Sequence, residues 1–173
     1  MVSHVAKSAP RHARHSRHSQ LDDVRWRVVN KTQTSADKEP VGLSRADGKR
    51  PDGATPVPWT REKSLALDVT VPDTYAASYI RSTSVSACAA AEKSSTNKTT
   101  KYATITSTHL FVPIGVATSG AWCSESAKFI EDLGSRIALI TGEPLETTYL
   151  FQRISLTLQR GNEVAFRNTL PES

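Results

Sequence analysis

The sequence predicts an α/β domain in which helices flank a small mixed sheet. Apolar runs rich in β-branched residues alternate with segments of helical periodicity, in the order helix, hairpin strands, helix, strand and helices. The chain has 173 residues, which is long enough to bury one core. We therefore expect one domain over 19–168, a basic, histidine-rich disordered tail over 1–18 and a short C-terminal tail over 169–173.

A short helix is predicted over 19–29. Ser19 is a suitable N-cap, and the acids that follow it in the first turn favour the positive end of the helix dipole. Leu21, Val24 and Val28 fall on one face, which we expect to be buried.

A β-hairpin is predicted next. Residues 54–59 have a strand-like composition interrupted by prolines, which favours a position near a sheet edge. A polar turn over 60–63 leads into 64–71, whose apolar and β-branched residues predict a buried strand. Asp68, in the middle of this strand, is the one acid within it.

The C-terminal half predicts one further strand among helices. A helix is expected over 87–105, although its serine and threonine content weakens its helical propensity. The near-continuous apolar run over 108–118 indicates a strand covered on both faces. An amphipathic helix over 124–141 and a last helix over 147–160 follow, each with a glycine after it.

Positive charge is concentrated in the N-terminal part of the chain. Residues 1–63 carry thirteen Lys and Arg against seven Asp and Glu, whereas residues 64–173 carry nine against ten. This favours a polyanionic partner, DNA or RNA, and is equally compatible with a solvated charged tail. Four of the five histidines lie within 4–18 at irregular spacing, so we interpret them as part of a solvated or nucleic-acid-contacting tail.

Several site classes are disfavoured by composition. Cys88 and Cys123 form no CxxC pair and have no histidine at zinc-finger spacing, so we expect no structural zinc site and a reducing compartment. No basic segment leads into an apolar run at the N-terminus, so no signal peptide is expected. The longest apolar run, 110–117, is far too short to span a bilayer, and no membrane partner is expected.

Two acids lie at positions suited to a metal site. Asp52 precedes the first hairpin strand and Asp68 lies inside the second, so hairpin pairing brings both carboxylates near one end of the sheet. Carboxylate oxygens are ligands that Mg²⁺ or Mn²⁺ prefers. The alternative is that Asp52 is a turn residue and Asp68 a satisfied strand acid. For Asp68 that alternative is weaker, because an acid in an apolar strand needs a partner or a metal.

An ordered series of motifs resembles the PD-(D/E)xK nuclease core, and more closely the C-terminal restriction-endonuclease-like domain of site-specific non-LTR retrotransposon polyproteins. The resemblance spans about residues 11–168. Its segments are Arg17–Asp23, Lys38–Arg45, Lys49–Gly53, Trp59, Leu65–Val71, Lys98–Tyr102, His109–Ile114, Gly120–Trp122, Phe151–Ser155 and Gln159–Asn162.

The resemblance implies a restriction-endonuclease-like core and a nuclear, Mg²⁺-dependent enzyme that nicks target DNA to start reverse transcription. Asp52 and Asp68 would then bind the metal. Polyproteins of this family also carry a reverse transcriptase and a zinc knuckle, so we interpret the chain as a fragment once fused to them. The alternative is a catalytically inactive relic that retains nucleic-acid binding or has no function.

Three basic residues lie directly before Asp52 and are candidates for binding nucleic acid. They are Arg45, Lys49 and Arg50. Because DNA led to the metal would pass them, we expect them to contact its phosphates.

The lysine of this nuclease class usually lies two residues after the second acid, where this sequence has Thr70. In the predicted helix, at about 100° per residue, Lys98 and Lys101 share a face with Tyr102 and Ile105. The resemblance implies that this family places its lysine in a Lys-x-x-Lys-Tyr helix of this kind. We therefore expect Lys98 first, and Lys101 second, to supply the catalytic amine beside the two aspartates. The alternative is that both extend along the sheet edge into solvent. Amines farther than about 10 Å from both carboxylates would exclude the catalytic role.

Overall fold

The computed structural model describes most of the chain between residues 11 and 168. The described residues are 11–32, 34, 36–38, 40, 42–43, 48, 50–60 and 62–168, without the side chains of 11–17, 22, 25 and 26. The elements are α1 (Arg11–Lys31), β1 (Asp37–Lys38), β2 (Gly53–Pro58), β3 (Ser64–Thr70), α2 (Ile80–Thr83), α3 (Ala89–Lys101), a 3₁₀ helix (Ala103–Ser107), β4 (His109–Gly115), α4 (Ser124–Thr141) and α5 (Glu146–Arg167).

The described strands form one four-stranded mixed sheet in the order β1-β2-β3-β4. β2 pairs antiparallel with β1 and β3, whereas β3 pairs parallel with β4. The predicted mixed α/β class is confirmed. Among the described residues, β1 pairs with Gly53 and Ala54 and not with the proline-bearing part of β2, which agrees with the edge position that its composition indicated.

Side-chain alternation along β3 places its residues against two different layers. Leu65, Leu67 and Val69 join the main core, which they share with α1, α4 and α5. Ala66 faces the opposite layer, where it packs with Tyr102 and the residues around it. Asp68, on the same side as Ala66, therefore faces the layer that contains α3.

The helix α1 begins at Arg11 rather than near Ser19. The predicted N-cap at Ser19 is therefore wrong, and residues 11–18 belong to a helix and not to an unstructured tail. Sequence periodicity did not predict the helical part over 11–18, because these residues lack the apolar face that marks the helix from Leu21 onward. The helix α1 packs against α5, and most of the stability of helices in proteins comes from tertiary packing of this kind.

Two other boundaries differ from the prediction. The expected helix over 87–105 ends at Lys101, and a 3₁₀ helix continues from Ala103. The last helix does not end at Gly161, which is buried inside α5 between Leu158 and Ala165. Packing of this face outweighs the cost of about 1 kcal/mol that glycine brings to a helix interior.

The described helices include none that is long and apolar enough to cross a membrane.

Candidate active site

A cleft of about 280 Å³ lies where the segment before β2, the middle of β3 and the C-terminal end of α3 meet. It contains both predicted acids and both predicted lysines. The residues that line it are Gly48, Arg50, Pro51, Asp52, Asp68, Lys98, Lys101 and Tyr102. The candidate site residues that are far apart in sequence therefore share one cleft.

Asp68 is the buried acid of this cleft, with only 2% of the residue exposed. Strand alternation directs its carboxylate toward α3, and its Oδ2 contacts Nζ of Lys98. The Lys98 side chain is 26% exposed, so its amine is half-buried beside a fully buried carboxylate. The proximity expected for Lys98 is confirmed, while its catalytic role stays a prediction.

The surroundings of Asp68 disfavour its ionised form. Burial is the largest cause that raises the pKa of the Asp68 carboxyl, and the negative charge of Asp52 raises it further. Lys98 and Lys101 act in the opposite direction without reversing the shift. An additional positive charge in the cleft, such as a divalent cation, would therefore stabilise the carboxylate.

Asp52 lies immediately before β2, where the hairpin register pairs Gly53 with Leu67. Its Oδ2 accepts a hydrogen bond of 2.7 Å from the backbone N–H of Val69, the residue that follows Asp68. The hairpin therefore brings both acids to the same cleft, as the sequence predicted. Their shared metal-binding role stays a prediction.

Thr70 lies two residues after Asp68 in β3. It is buried, and its hydroxyl shares a hydrogen bond of 2.6 Å with the hydroxyl of Ser94. This bond links β3 to α3 one helical turn before Lys98. Thr70 therefore helps to fix the position of α3, the helix that carries Lys98.

Lys101 and Tyr102 connect α3 to the segment that precedes Asp52. Nζ of Lys101 donates a hydrogen bond of 3.0 Å to the Tyr102 hydroxyl and lies 4.5 Å from the centre of its ring. The Tyr102 hydroxyl donates in turn to the carbonyl of Arg50, at 2.8 Å. Tyr102 is 1% exposed, so this contact supports the Arg50–Asp52 segment from within the protein.

Of the three basic residues expected to contact DNA, Arg45 and Lys49 lie outside the described residues. Arg50 is exposed and lines the cleft. Arg50 thus shares the cleft with the two acids, and its contact with nucleic acid stays a prediction.

His18 is the site residue that sequence reasoning missed. Its Nε2 lies 3.0 Å from the carbonyl oxygen of Val69 and 3.2 Å from Oδ2 of Asp52. The interpretation of His18 as part of a solvated tail is therefore wrong, because its side chain is only 34% exposed. Its position three residues before Leu21 was the available signal, since one further helical turn places both on the same face.

The hydrogen bond to Asp52 is the largest cause that raises the pKa of His18. Burial opposes this shift, and the charge of Asp52 and the hydrogen bond to Val69 reinforce it. The imidazole therefore binds a proton more readily than an exposed histidine does.

The part of the chain that the structure describes contains no group of three or more His, Cys, Asp or Glu side chains placed to hold a metal together. Among the described residues that line the cleft, the carboxylates are those of Asp52 and Asp68. Two carboxylates with room for water fit Mg²⁺, which usually keeps several waters and takes one or two protein carboxylates.

No protein-family model matches this sequence, and no curated protein matches it either.

Proposed function

We propose that this chain is a metal-dependent DNA endonuclease, derived from the restriction-endonuclease-like domain of a non-LTR retrotransposon polyprotein. The observation that carries the proposal is the meeting of Asp52, Asp68 and Lys98 in one polar cleft. Phosphodiester hydrolysis needs negative ligands for a metal and a positive group beside them, and this cleft supplies both.

Asp52 and Asp68 would hold the metal, Mg²⁺ or Mn²⁺. The raised pKa of Asp68 supports this assignment. Burial disfavours its ionised carboxylate, and the half-buried lysines compensate only part of that cost, so a bound cation would stabilise the ionised form. A bound divalent cation would polarise the phosphodiester and lower the pKa of a water molecule.

Hydrolysis forms a bond between a water oxygen and phosphorus and breaks the bond from phosphorus to the leaving sugar oxygen. The attacking water loses a proton and the leaving oxygen gains one. Lys98 is placed to orient the water or to balance the negative charge that develops on phosphorus, since its amine lies against Asp68. Lys101, which also lines the cleft, is the second candidate for this role.

Arg50, which lines the cleft, would contact the DNA backbone there, and Arg45 and Lys49, which precede it in the sequence, are further candidates for phosphate contacts. Arginine and lysine contacts to phosphate fix the register of a duplex without reading its sequence. Nicking that depends on such phosphate contacts would show little sequence preference of its own.

The test is nicking of supercoiled plasmid in Mg²⁺ and in EDTA, with the intact chain and with Asp68→Ala. We expect nicking only with the metal and only by the intact chain, and Asp68→Ala should also bind Mg²⁺ more weakly. Glu131→Ala is the matched control, because Glu131 is an exposed acid on α4, across the sheet from the cleft. Full activity of Asp68→Ala would contradict the proposed site.

A second candidate function is nucleic-acid binding without cleavage. It is favoured by the threonine at position 70 and by the limited donor set among the described residues. A protein of this kind would shift DNA in a gel with an affinity that falls steeply with salt, and would not nick it under any metal condition.

A further inference from the structure

His18 joins the site through a closed set of contacts with Asp52 and the backbone of Val69. The N–H of Val69 donates to Oδ2 of Asp52, and His18 Nε2 lies within hydrogen-bond distance of both that oxygen and the carbonyl of Val69. The backbone N–H of Val69 is thus bound by Asp52, and its carbonyl oxygen is bound by His18.

We propose that His18 is a positioning residue that holds Asp52 against β3, so that the N-terminal helix α1 completes the nuclease site. The inference rests on the proposed function, because it assigns His18 to the geometry of the same carboxylate pair. It adds to that site a residue from a part of the chain outside the hairpin and α3.

The helix α1 is anchored firmly enough to serve this purpose. Leu21, Val28 and Val29 are buried in the main core, and α1 packs along α5. Leu21 lies one turn after His18, on the same face of the helix. The burial of Leu21 in the core therefore helps to hold His18 close to the end of β3.

Asp52 lies just outside β2, whose first hairpin pair is Gly53 with Leu67. Contacts to its side chain therefore contribute to the orientation of its carboxylate. Oδ2 of Asp52 accepts a hydrogen bond from the N–H of Val69 and shares the single Nε2 proton of His18 with the carbonyl of Val69. These contacts from β3 and α1 restrict the rotation of the Asp52 side chain. The restriction keeps the carboxylate oriented relative to Asp68, whose backbone adjoins Val69.

The chemistry of the contact favours a hydrogen-bond donor over a metal ligand. A carbonyl oxygen only accepts, so the contact with Val69 requires the proton on Nε2. A nitrogen that carries a proton has no lone pair for a cation. The geometry therefore assigns His18 to the support of a ligand, a role whose loss typically lowers metal affinity or activity about ten- to hundredfold.

The experiment compares His18→Ala, which removes the donor, with His18→Gln, which keeps an N–H at a similar distance from the backbone. Ser19→Ala is the matched control, because Ser19 is exposed on the same helix. In plasmid nicking, His18→Ala should lower kcat about tenfold or more and raise the half-saturating Mg²⁺ concentration, with KM for DNA unchanged. His18→Gln should recover most of kcat.

A change in KM alone, or an unchanged kcat in His18→Ala, would overturn the inference, since a donor to Asp52 acts on the metal site and not on DNA affinity. Failure of His18→Gln to recover activity would overturn it as well, because hydrogen-bond donation would then be insufficient.

A second measurement does not depend on nicking. Urea unfolding in EDTA of His18→Ala, Asp52→Ala and the double variant forms a double-mutant cycle, and we expect the effects on the unfolding equilibrium constant to depart from additivity by about fivefold. Additive effects would overturn the positioning role. Non-additive effects in a protein that nicks no DNA would instead refute the proposed function and leave the support of Asp52 by His18 in place.

Discussion

Replacement of Lys98 by alanine removes the amine that lies against the buried carboxylate of Asp68. Asp68 is 2% exposed and the Lys98 side chain 26% exposed, so the change leaves a buried acid without its nearest positive charge. The pKa of Asp68, already raised by burial and by Asp52, should rise further because Lys98 opposes that shift. The free energy of unfolding and the rate of nicking should both decrease, and the two losses can be measured separately.

The loss of stability should be moderate. Removal of one partner from a fully buried ion pair costs about 3–5 kcal/mol. Here Lys98 is partly exposed and Asp68 can take up a proton, so we expect about 2 kcal/mol, or a decrease in Tm of about 4–8 °C for a domain of this size. A domain with at least about 5 kcal/mol of stability stays about 99% folded after such a loss.

The loss of nicking should be much larger than that unfolded fraction explains. A positioned proton donor or acceptor contributes about 10²–10⁴ to a rate, so Lys98→Ala should nick at least about a hundredfold more slowly. DNA affinity in EDTA should be retained. Lys98→Arg keeps the positive charge but cannot give up its proton, so its activity shows whether charge or proton transfer matters.

The matched control is Lys93→Ala on the same helix. Lys93 is exposed and lies near the ring of Tyr79, outside the cleft, so its loss should leave nicking unchanged. Nicking by Lys98→Ala at the rate of the intact chain would refute the assignment. An equal loss in Lys93→Ala would show that α3 itself, and not the amine in the cleft, had been disturbed.

The remaining predictions concern charge. Because burial and Asp52 raise the pKa of Asp68 above 3.8, its ionised form is less stable in the folded state, and Asp68→Asn should raise the urea midpoint of the metal-free protein at neutral pH. This gain should shrink as the pH falls through the raised pKa and vanish below 3.8, where both states are protonated; no gain at neutral pH would contradict it. Millimolar Mg²⁺ should raise the Tm of the intact chain by binding the folded state, and an unchanged Tm would count against the metal site. Neutralisation of Arg45, Lys49 and Arg50 together should weaken binding to all DNA sequences about equally and flatten its salt dependence, whereas a loss for one sequence only would indicate base contacts.

Local patterns in the sequence were sufficient to predict the hairpin and the acids that it brings together. The apolar and β-branched residues over 64–71 predicted a buried strand, and Asp68 was conspicuous within it because a buried charge needs a partner. Helical periodicity placed Lys98 on the inward face of α3, and the structure places its amine on Asp68. Both inferences depend on the geometry of a single element, or of two adjacent ones, which short-range spacing determines.

Tertiary structure decided which distant groups complete the site. His18 lies 51 residues from Val69, and no spacing in the sequence connects them. The packing of α1 against α5 and β3 brings the imidazole to Asp52. In the same way, the hydrogen bond from Tyr102 to Arg50 joins residues 52 positions apart. Strand alternation and helical periodicity fix the direction in which each side chain points, but the neighbour it meets depends on how the layers pack across the sheet.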